Sequence, residues 1–588
     1  MHPAAQRGDE DGNPEGTEDG AAQRRQGAGA CASRRRFGDR GIRRGTRRDR
    51  RLGAKGQGVT WGGRACRRAA SGPMTSATIL PSAGVPARGQ PVQSPAPRKR
   101  LPGCYRCAMN RALHYRSASE WLTLMASGEV TSRALVELCL ARIDRHNRAL
   151  NAVVTLDAQA ARAAADRADL ARAHNAELGP LHGLPMTIKD TLEVAGLVCT
   201  SGAEKYRDYR PARHAPAVRR LVEAGAIVLG KTNAPQFGGD IQTDNPVFGP
   251  TSTPWRVGHN AGGSSGGAAA AVAAGLVPLE LGTDLAGSLR IPAHACGILA
   301  HRPSTGVVSA LGQLAGRPNR RSPMDMLVAG PLARDPADLA LALEVLVAPP
   351  QAARLGRPQA VPAATSLRFG LWLEAAECPL EPAVAGVLGQ AVTRLADAGV
   401  AVAPCQPLED AGRMFELFLR LMYAAMSVEY PDSLIARLAE QTRDLPADSR
   451  GLPGAMALGA TLDHRGWLEL EEERRALGDR LAPLFEHHDV LVCPVLHRPA
   501  WPHDVVPVAR RQVTLGGQNH PWMAQAFWIA LPSLLGLPAT VLPAGIDDVS
   551  GLPVGLQLIG PRYGDYRVLA VAARVHALLG GGLPPPLD

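Results

Sequence analysis

The sequence predicts an α/β protein whose body is one large domain, residues 111–588, with a central mixed, twisted sheet covered by helices on both faces. Three observations carry that expectation. Short β-branched or apolar runs of strand length alternate with helical patterns, the signature of a layered, largely buried sheet. No internal repeat or long linker interrupts the alternation. Charge also separates the body from a leader. Residues 1–110 hold 22 Lys and Arg against 8 Asp and Glu, leaving 43 and 46 of the 588-residue chain's 65 and 54 for the body. The net charge of +11 therefore belongs to the leader. A nucleic-acid protein with its positive face on the folded body is disfavoured, and no specific nucleic-acid partner is expected.

In chain order, Ser117-Ala-Ser-Glu120 reads as a capping box ahead of Trp121, Leu122, Leu124 and Met125, with Gly128 as the stop. A second helix from about Ser132 to His146 puts Leu135, Leu138, Cys139 and Ile143 on one face. An Ala-rich helix covers roughly Asp157 to Glu177. Strand-like runs follow at Met186–Ile188, Ala226–Leu229 and Val277–Leu281, separated by helical patterns at Ala215–Ala224 and Gly267–Ala274. Further strands are expected at Val328–Leu332, Leu367–Leu373, Val490–Val495 and Leu552–Ile559. Helices are expected at Pro336–Leu346, Pro382–Ala398, Leu468–Phe485 and Tyr566–Leu579. The most apolar run, Ala526 to Gly545, is cut by Pro532, Gly536, Pro538 and Pro543, so it does not read as a membrane span.

The leader is rich in Arg, Gly, Ala and Pro without aliphatic periodicity, and it is expected to be disordered. Ser33-Arg-Arg-Arg-Phe37 lacks the apolar segment that twin-arginine export needs, and six acids within the first 19 residues argue against a mitochondrial transit peptide. A cytoplasmic location is the expectation. Met74 and Met109 are alternative starts, which N-terminal mass spectrometry of native protein distinguishes. The ten scattered cysteines read as reduced thiols. Cys104-Tyr-Arg-Cys107 lacks the second ligand pair that zinc requires, so no metal is expected.

Three motifs compete for the chemistry. Gly225-Ala-Ile-Val-Leu-Gly-Lys231-Thr232 fits the phosphate-loop pattern, but its intervening residues are themselves a strand where a polar cradle is needed. Gly262-Gly-Ser264-Ser265-Gly266 fits the nucleophile elbow of Ser-His-Asp esterases, yet a loop, Pro250 to Asn260, precedes it where a strand is required. The third candidate joins three pieces: Gly183-Leu-Pro-Met-Thr-Ile-Lys189-Asp190, Gly262-Gly-Ser-Ser-Gly-Gly267 and Gly282-Thr-Asp-Leu-Ala-Gly-Ser288-Leu-Arg-Ile-Pro292. Lys189 precedes Ser264 by 75 residues, and Ser264 precedes Ser288 by 24. In order and spacing these pieces resemble the amidase signature family of serine hydrolases. Weaker echoes at Gly230–Pro235, Ala329–Arg334, Gly536–Ala539 and Gly551–Gly560 extend the likeness over residues 115–575.

That resemblance implies Ser288 as nucleophile, Ser264 as bridging serine after a cis peptide at Gly263–Ser264, and Lys189 as base. The assignment has a chemical logic. A serine hydroxyl is a weak nucleophile until a base takes its proton, and lysine is a base only when burial keeps it neutral. The resemblance further implies an oxyanion hole from the backbone amides of Leu285, Ala286, Gly287 and Ser288. Ser265, Thr283, Asp284 and Arg290 are supporting candidates; for Asp284, capping the loop is an equal expectation. The chain departs from the family at Ala286 and Ala268, where Gly and Ser are usual, and at Ala300-His-Arg-Pro303, where Gly-Leu-Lys-Pro is usual. His182, His294 and His301 lack metal-ligand spacing and read as structural.

The implied activity is hydrolysis of a small or non-peptide carboxamide to an acid and ammonia or an amine, without metal or cofactor. Alternatives are the glutaminase-type subunit of a tRNA-dependent amidotransferase, an esterase built on the Gly262–Gly267 segment, and a non-catalytic binding protein. Against the amidotransferase, Ile291-Pro292 follows Arg290 where Gln-Pro is usual. Acyl-pocket residues are expected from 238–248 and 415–530, with Phe248, Met422 and Trp528 open between pocket and core. A homodimer is compatible with the sequence, which fixes no oligomeric state.

Overall fold

Local chemistry sets the first helix. The Glu120 amide donates to Ser117 Oγ at 3.1 Å and the Ser117 amide donates to Glu120 Oε2 at 2.7 Å, closing the capping box ahead of Ala118–Ser127. Gly128 ends that helix in the left-handed region, at φ +77°. A computed structural model of the chain describes residues 112–314, 318–443, 445 and 452–587. The expectations for the leader and for Cys104–Cys107 lie outside the described residues.

In chain order the strands among the described residues are β1 (Val153–Leu156), β2 (Pro185–Lys189), β3 (Ile227–Thr232), β4 (Leu279–Asp284), β5 (Leu299–Arg302), β6 (Val328–Ala333), β7 (Arg368–Leu371), β8 (Ala401–Pro404), β9 (Val490–Pro494), β10 (Gln512–Leu515), β11 (Gln518–Pro521), β12 (Ala539–Ile546) and β13 (Pro553–Ile559). Eleven form one sheet in the order β1-β3-β2-β4-β6-β5-β12-β13-β9-β7-β8, and β10–β11 is a separate hairpin. β2 runs parallel to β3 and β4, and β7 parallel to β8 and β9; the other pairings in the sheet are antiparallel. The sheet is mixed, as expected.

Every residue of β2, β4, β6, β9 and β13 is buried, which explains why these strands read as continuous apolar runs instead of alternating ones. Helices pack on them. Gly266–Ala273, built only of Gly, Ala and Val and wholly buried, lies on β2, β3, β4 and β6. Small side chains permit that approach: a Cβ at Gly267 would sit 2.3 Å from the Asn233 amide nitrogen. Pro336–Leu346 packs on β5 and β6, while Pro382–Asp397 and Asp565–Leu578 pack on β12 and β13.

Several elements differ from expectation. The pattern at Leu468–Phe485 resolves into His464–Leu481 and the short Leu484–His487, broken around Pro483. The proline-cut run at Ala526–Gly545 becomes a helix, Phe527–Leu535 with Pro532 inside, then β12, whose register shifts between Pro543 and Gly545. A bulge is how a central strand accommodates proline. Helices Ala411–Ser427, Asp432–Thr442 and Leu452–Ala460, strands β1, β5 and β8, and the β10–β11 hairpin were not foreseen.

Candidate active site

Three segments far apart in sequence meet beside the parallel strands. Lys189 is the last residue of β2, Ser264 and Ser265 precede the Gly266–Ala273 helix, and Ser288 lies on the turn between β4 and the Arg290–Cys296 helix. Lys189 is fully buried, and its Nζ donates to Ser264 Oγ at 2.7 Å and to Thr283 Oγ1 at 3.1 Å. Burial pushes its pKa down to about 7, against the opposing pull of Asp284 and Glu280. The Gly263–Ser264 peptide is cis. The Ser265 amide donates to the Ser288 carbonyl at 3.1 Å, and Ser265 Oγ donates to the Thr283 carbonyl at 3.3 Å, stitching the two serine-bearing segments together. Relative exposure is 0% for Lys189, 2% for Ser264 and 8% for Ser288, so exposure increases from the lysine to Ser288.

The turn carrying Ser288 is organised by Asp284. Its carboxylate accepts from the Gly287 amide at 2.9 Å, the Leu289 amide at 3.1 Å and the Arg290 Nε at 2.9 Å. Burial would raise this carboxyl, but Arg290 and Arg302 hold it well below the ordinary carboxylate range. Asp284 therefore caps the loop, one of the two roles expected of it. Of the four amides expected to form an oxyanion hole, those of Leu285, Ala286, Gly287 and Ser288, the Gly287 amide donates to Asp284. Gly287 is also needed for shape: its φ is +87°, and a Cβ there would press on Ile291 and Ile529 at 2.9 Å.

Arg290 opens a helix, and all five of its donors are used. They reach Asp284 Oδ2 and Oδ1, the Ile529 carbonyl at 3.0 Å, Gln557 Oε1 at 2.8 Å and Ser533 Oγ at 2.6 Å. Arg302, not anticipated as a site residue, donates to the Asp284 carbonyl and the Met326 carbonyl, each at 3.0 Å. The signal was its occupation of the slot where the resembling family has lysine. Two further residues were missed. A Cβ on Gly238 would lie 3.3 Å from Ser264 Oγ, and Glu280 is a fully buried acid in β4, betrayed only by its presence inside an apolar run.

The competing motifs resolve differently. Lys231 lies in β3, buried, with Nζ 3.2 Å from Asp190 Oδ1 and 2.8 Å from the Leu192 carbonyl; the motif residues form strand, not a phosphate cradle. Ser264 follows a loop and bonds a lysine. His182 and His294 bond the carbonyls of Ala168 and Arg498, and His301 bonds Thr540 and Asp565, all structural ties. Met422 and Trp528 belong to the core, whereas Phe248 is half-buried outside it. A cavity of about 720 Å³ between Leu373–Leu380 and Glu409–Ala411 is lined by none of the site residues.

Fold and site together define a hydrolase of carbon–nitrogen bonds. The chain belongs to the amidase family, whose model, described as Amidase, matches residues 134–569. It is 33% identical over 498 residues to a glutamyl-tRNA(Gln) amidotransferase subunit of Deinococcus radiodurans, covering 81% of this chain and 99% of that protein. It is 32% identical over 481 residues to an acylamidase of Rhodococcus erythropolis, covering 79% and 96%. Among solved structures, that of an amidase superposes with a TM-score of 0.66 at 30% identity, covering 79% of this chain and all of the other.

Proposed function

We propose that the chain hydrolyses a small or non-peptide carboxamide through an acyl-enzyme on Ser288. The observation carrying this reading is the 2.7 Å contact between Lys189 Nζ and Ser264 Oγ in a fully buried setting that favours a neutral amine. Neutral Lys189 takes the proton of Ser264, Ser264 takes that of Ser288, and Ser288 Oγ attacks the amide carbon. The developing oxyanion is received by the amides of Leu285, Ala286 and Ser288; losing one such donor typically raises a barrier by ~3 kcal/mol. The proton then returns through Ser264 to the leaving nitrogen, the C–N bond breaks, and water repeats the relay to release the acid. Ser265, Thr283, Asp284 and Arg290 hold the two serine segments in register.

The catalytic unit in this proposal is residues 111–588, acting in the cytoplasm. The six cysteines among the described residues are free, five of them buried, which suits a reducing compartment. A second reading, the glutaminase-type subunit of an amidotransferase, is favoured by the match to 99% of such a protein. Ile291-Pro292 after Arg290 weighs against it.

Fluorophosphonate labelling with peptide mass mapping tests the assignment. The expected adduct is on Ser288 and is lost in Lys189→Ala. An adduct on Ser264 or Ser265 overturns it. Amide turnover by the isolated chain, set against glutamine turnover only with partner subunits, separates the two readings.

A further inference from the structure

Glu280 is the second residue of β4 and has no exposed surface. The hydrolysis proposed above has no step for it, yet burying a carboxyl is costly unless it is neutral or well paired. Its surroundings offer partial pairing. Thr232 Oγ1 donates to Glu280 Oε1 at 2.6 Å, and Thr232 stands opposite Lys189 in the β2–β3 register. On the other side Thr187 stands opposite Glu280 in the β2–β4 register. Thr187 Oγ1 and Glu280 Oε2 are both buried, and the Thr187 hydroxyl, like that of Thr232, favours the carboxylate.

The charged groups around Glu280 are few. Lys189 of β2 and Lys231 of β3 both act on it, and Lys231 is already engaged by Asp190. Leu332 is opposite on β6, and the Gly266–Ala273 helix packed on β4 brings only Gly, Ala and Val. Lys189 in turn feels Asp284 and Glu280.

We propose that Glu280, which stands opposite Thr187 on the strand face that also carries Lys189, is a positioning residue whose charge state sets the pH range in which the lysine is free to act as base. The proposal rests on the reading of Lys189 as base. With Glu280 neutral, Lys189 feels only Asp284; with Glu280 ionised, the ammonium form is favoured and the base is lost. Burial pushes the Glu280 carboxyl up to about 8, which puts its titration beside that of Lys189 at about 7.

The test is the rate of fluorophosphonate labelling of the full chain between about pH 5 and pH 10, a direct reading of serine activation. In Glu280→Gln the acid limb is expected about one pH unit lower than in the unaltered protein, because the group that can favour the ammonium is gone. Thr232→Val, which removes a donor that favours the carboxylate, should move the limb the same way by less. A limb that stays in place or moves upward in either soluble variant overturns the proposal, leaving Glu280 a structural residue. Should Glu280→Gln fail to fold, Thr232→Val alone decides on the same criterion. Undiminished labelling in Lys189→Ala instead means that the lysine-base reading has failed, whatever Glu280 does.

Discussion

Two lysines lie on adjacent strands one register step apart, Lys189 on β2 and Lys231 on β3, and both are completely buried. Among the described residues Lys189 bonds only hydroxyls, those of Ser264 and Thr283, and burial carries its pKa down to about 7. Lys231 meets the Asp190 carboxylate; although burial opposes its charge, Cys199 and Asp190 hold its pKa above the ordinary lysine value. Burial is common to the two, so it does not decide their chemistry. The partner does: an anion within ion-pair distance turns a buried lysine into a structural strut, and its absence suits the role of base proposed for Lys189.

The largest expected effect separates the pair directly. Lys189→Ala should cut amide hydrolysis by up to about 10⁴-fold with a normal melting temperature. Lys231→Ala should lower the melting temperature while turnover per folded molecule stays within a few-fold. Initial rates and thermal melts of both variants check this; equal loss of activity breaks the comparison. Next comes Asp190→Asn, which leaves Lys231 buried without its anion and should cost about 3 kcal/mol in urea unfolding.

The pH dependence follows from the same contrast. Hydrolysis should fall as pH drops through about 7, because Lys189 must be neutral to accept a proton. Its folded pKa lies below the ordinary 10.5, so unfolding takes up a proton between those values and stability should rise with pH across that window. Lys189→Met should abolish hydrolysis, flatten that slope and raise neutral-pH stability by about 1–2 kcal/mol, read by unfolding at several pH values. The smallest effect is expected from Thr200→Val. Thr200 Oγ1 bonds Asp190 Oδ2 at 2.5 Å, and losing that tie should cost about 1 kcal/mol without moving the acid limb.

The proposed triad, Lys189, Ser264 and Ser288, was legible because its serines sit in glycine-rich segments whose backbone needs leave a local mark at fixed spacing. The fully buried strands β2, β4 and β6 were legible for a similar reason, as largely apolar runs between helices. What stayed hidden depends on distance. Arg302 acts through contacts to Asp284 and Met326 formed only by tertiary folding, and its replacement of lysine read as a departure, not a tie. The engagement of the Gly287 amide by Asp284 is a matter of ångströms, invisible to a pattern that counts four amides on a turn. β12 was obscured because Pro543 contradicts a central strand until its bulge is seen.

The Arg290 clamp ties activity to the timetable of protein synthesis. Its partners Ile529, Ser533 and Gln557 follow it by 239, 243 and 267 residues. At about 5–20 residues per second, roughly 15–50 s pass between translation of the nucleophile turn and translation of the last group that fixes it. Through that interval the nascent chain holds Lys189, Ser264 and Ser288 but not the fastening that sets the Ser288 turn, so the geometry of the proposed site waits on residues translated well after it.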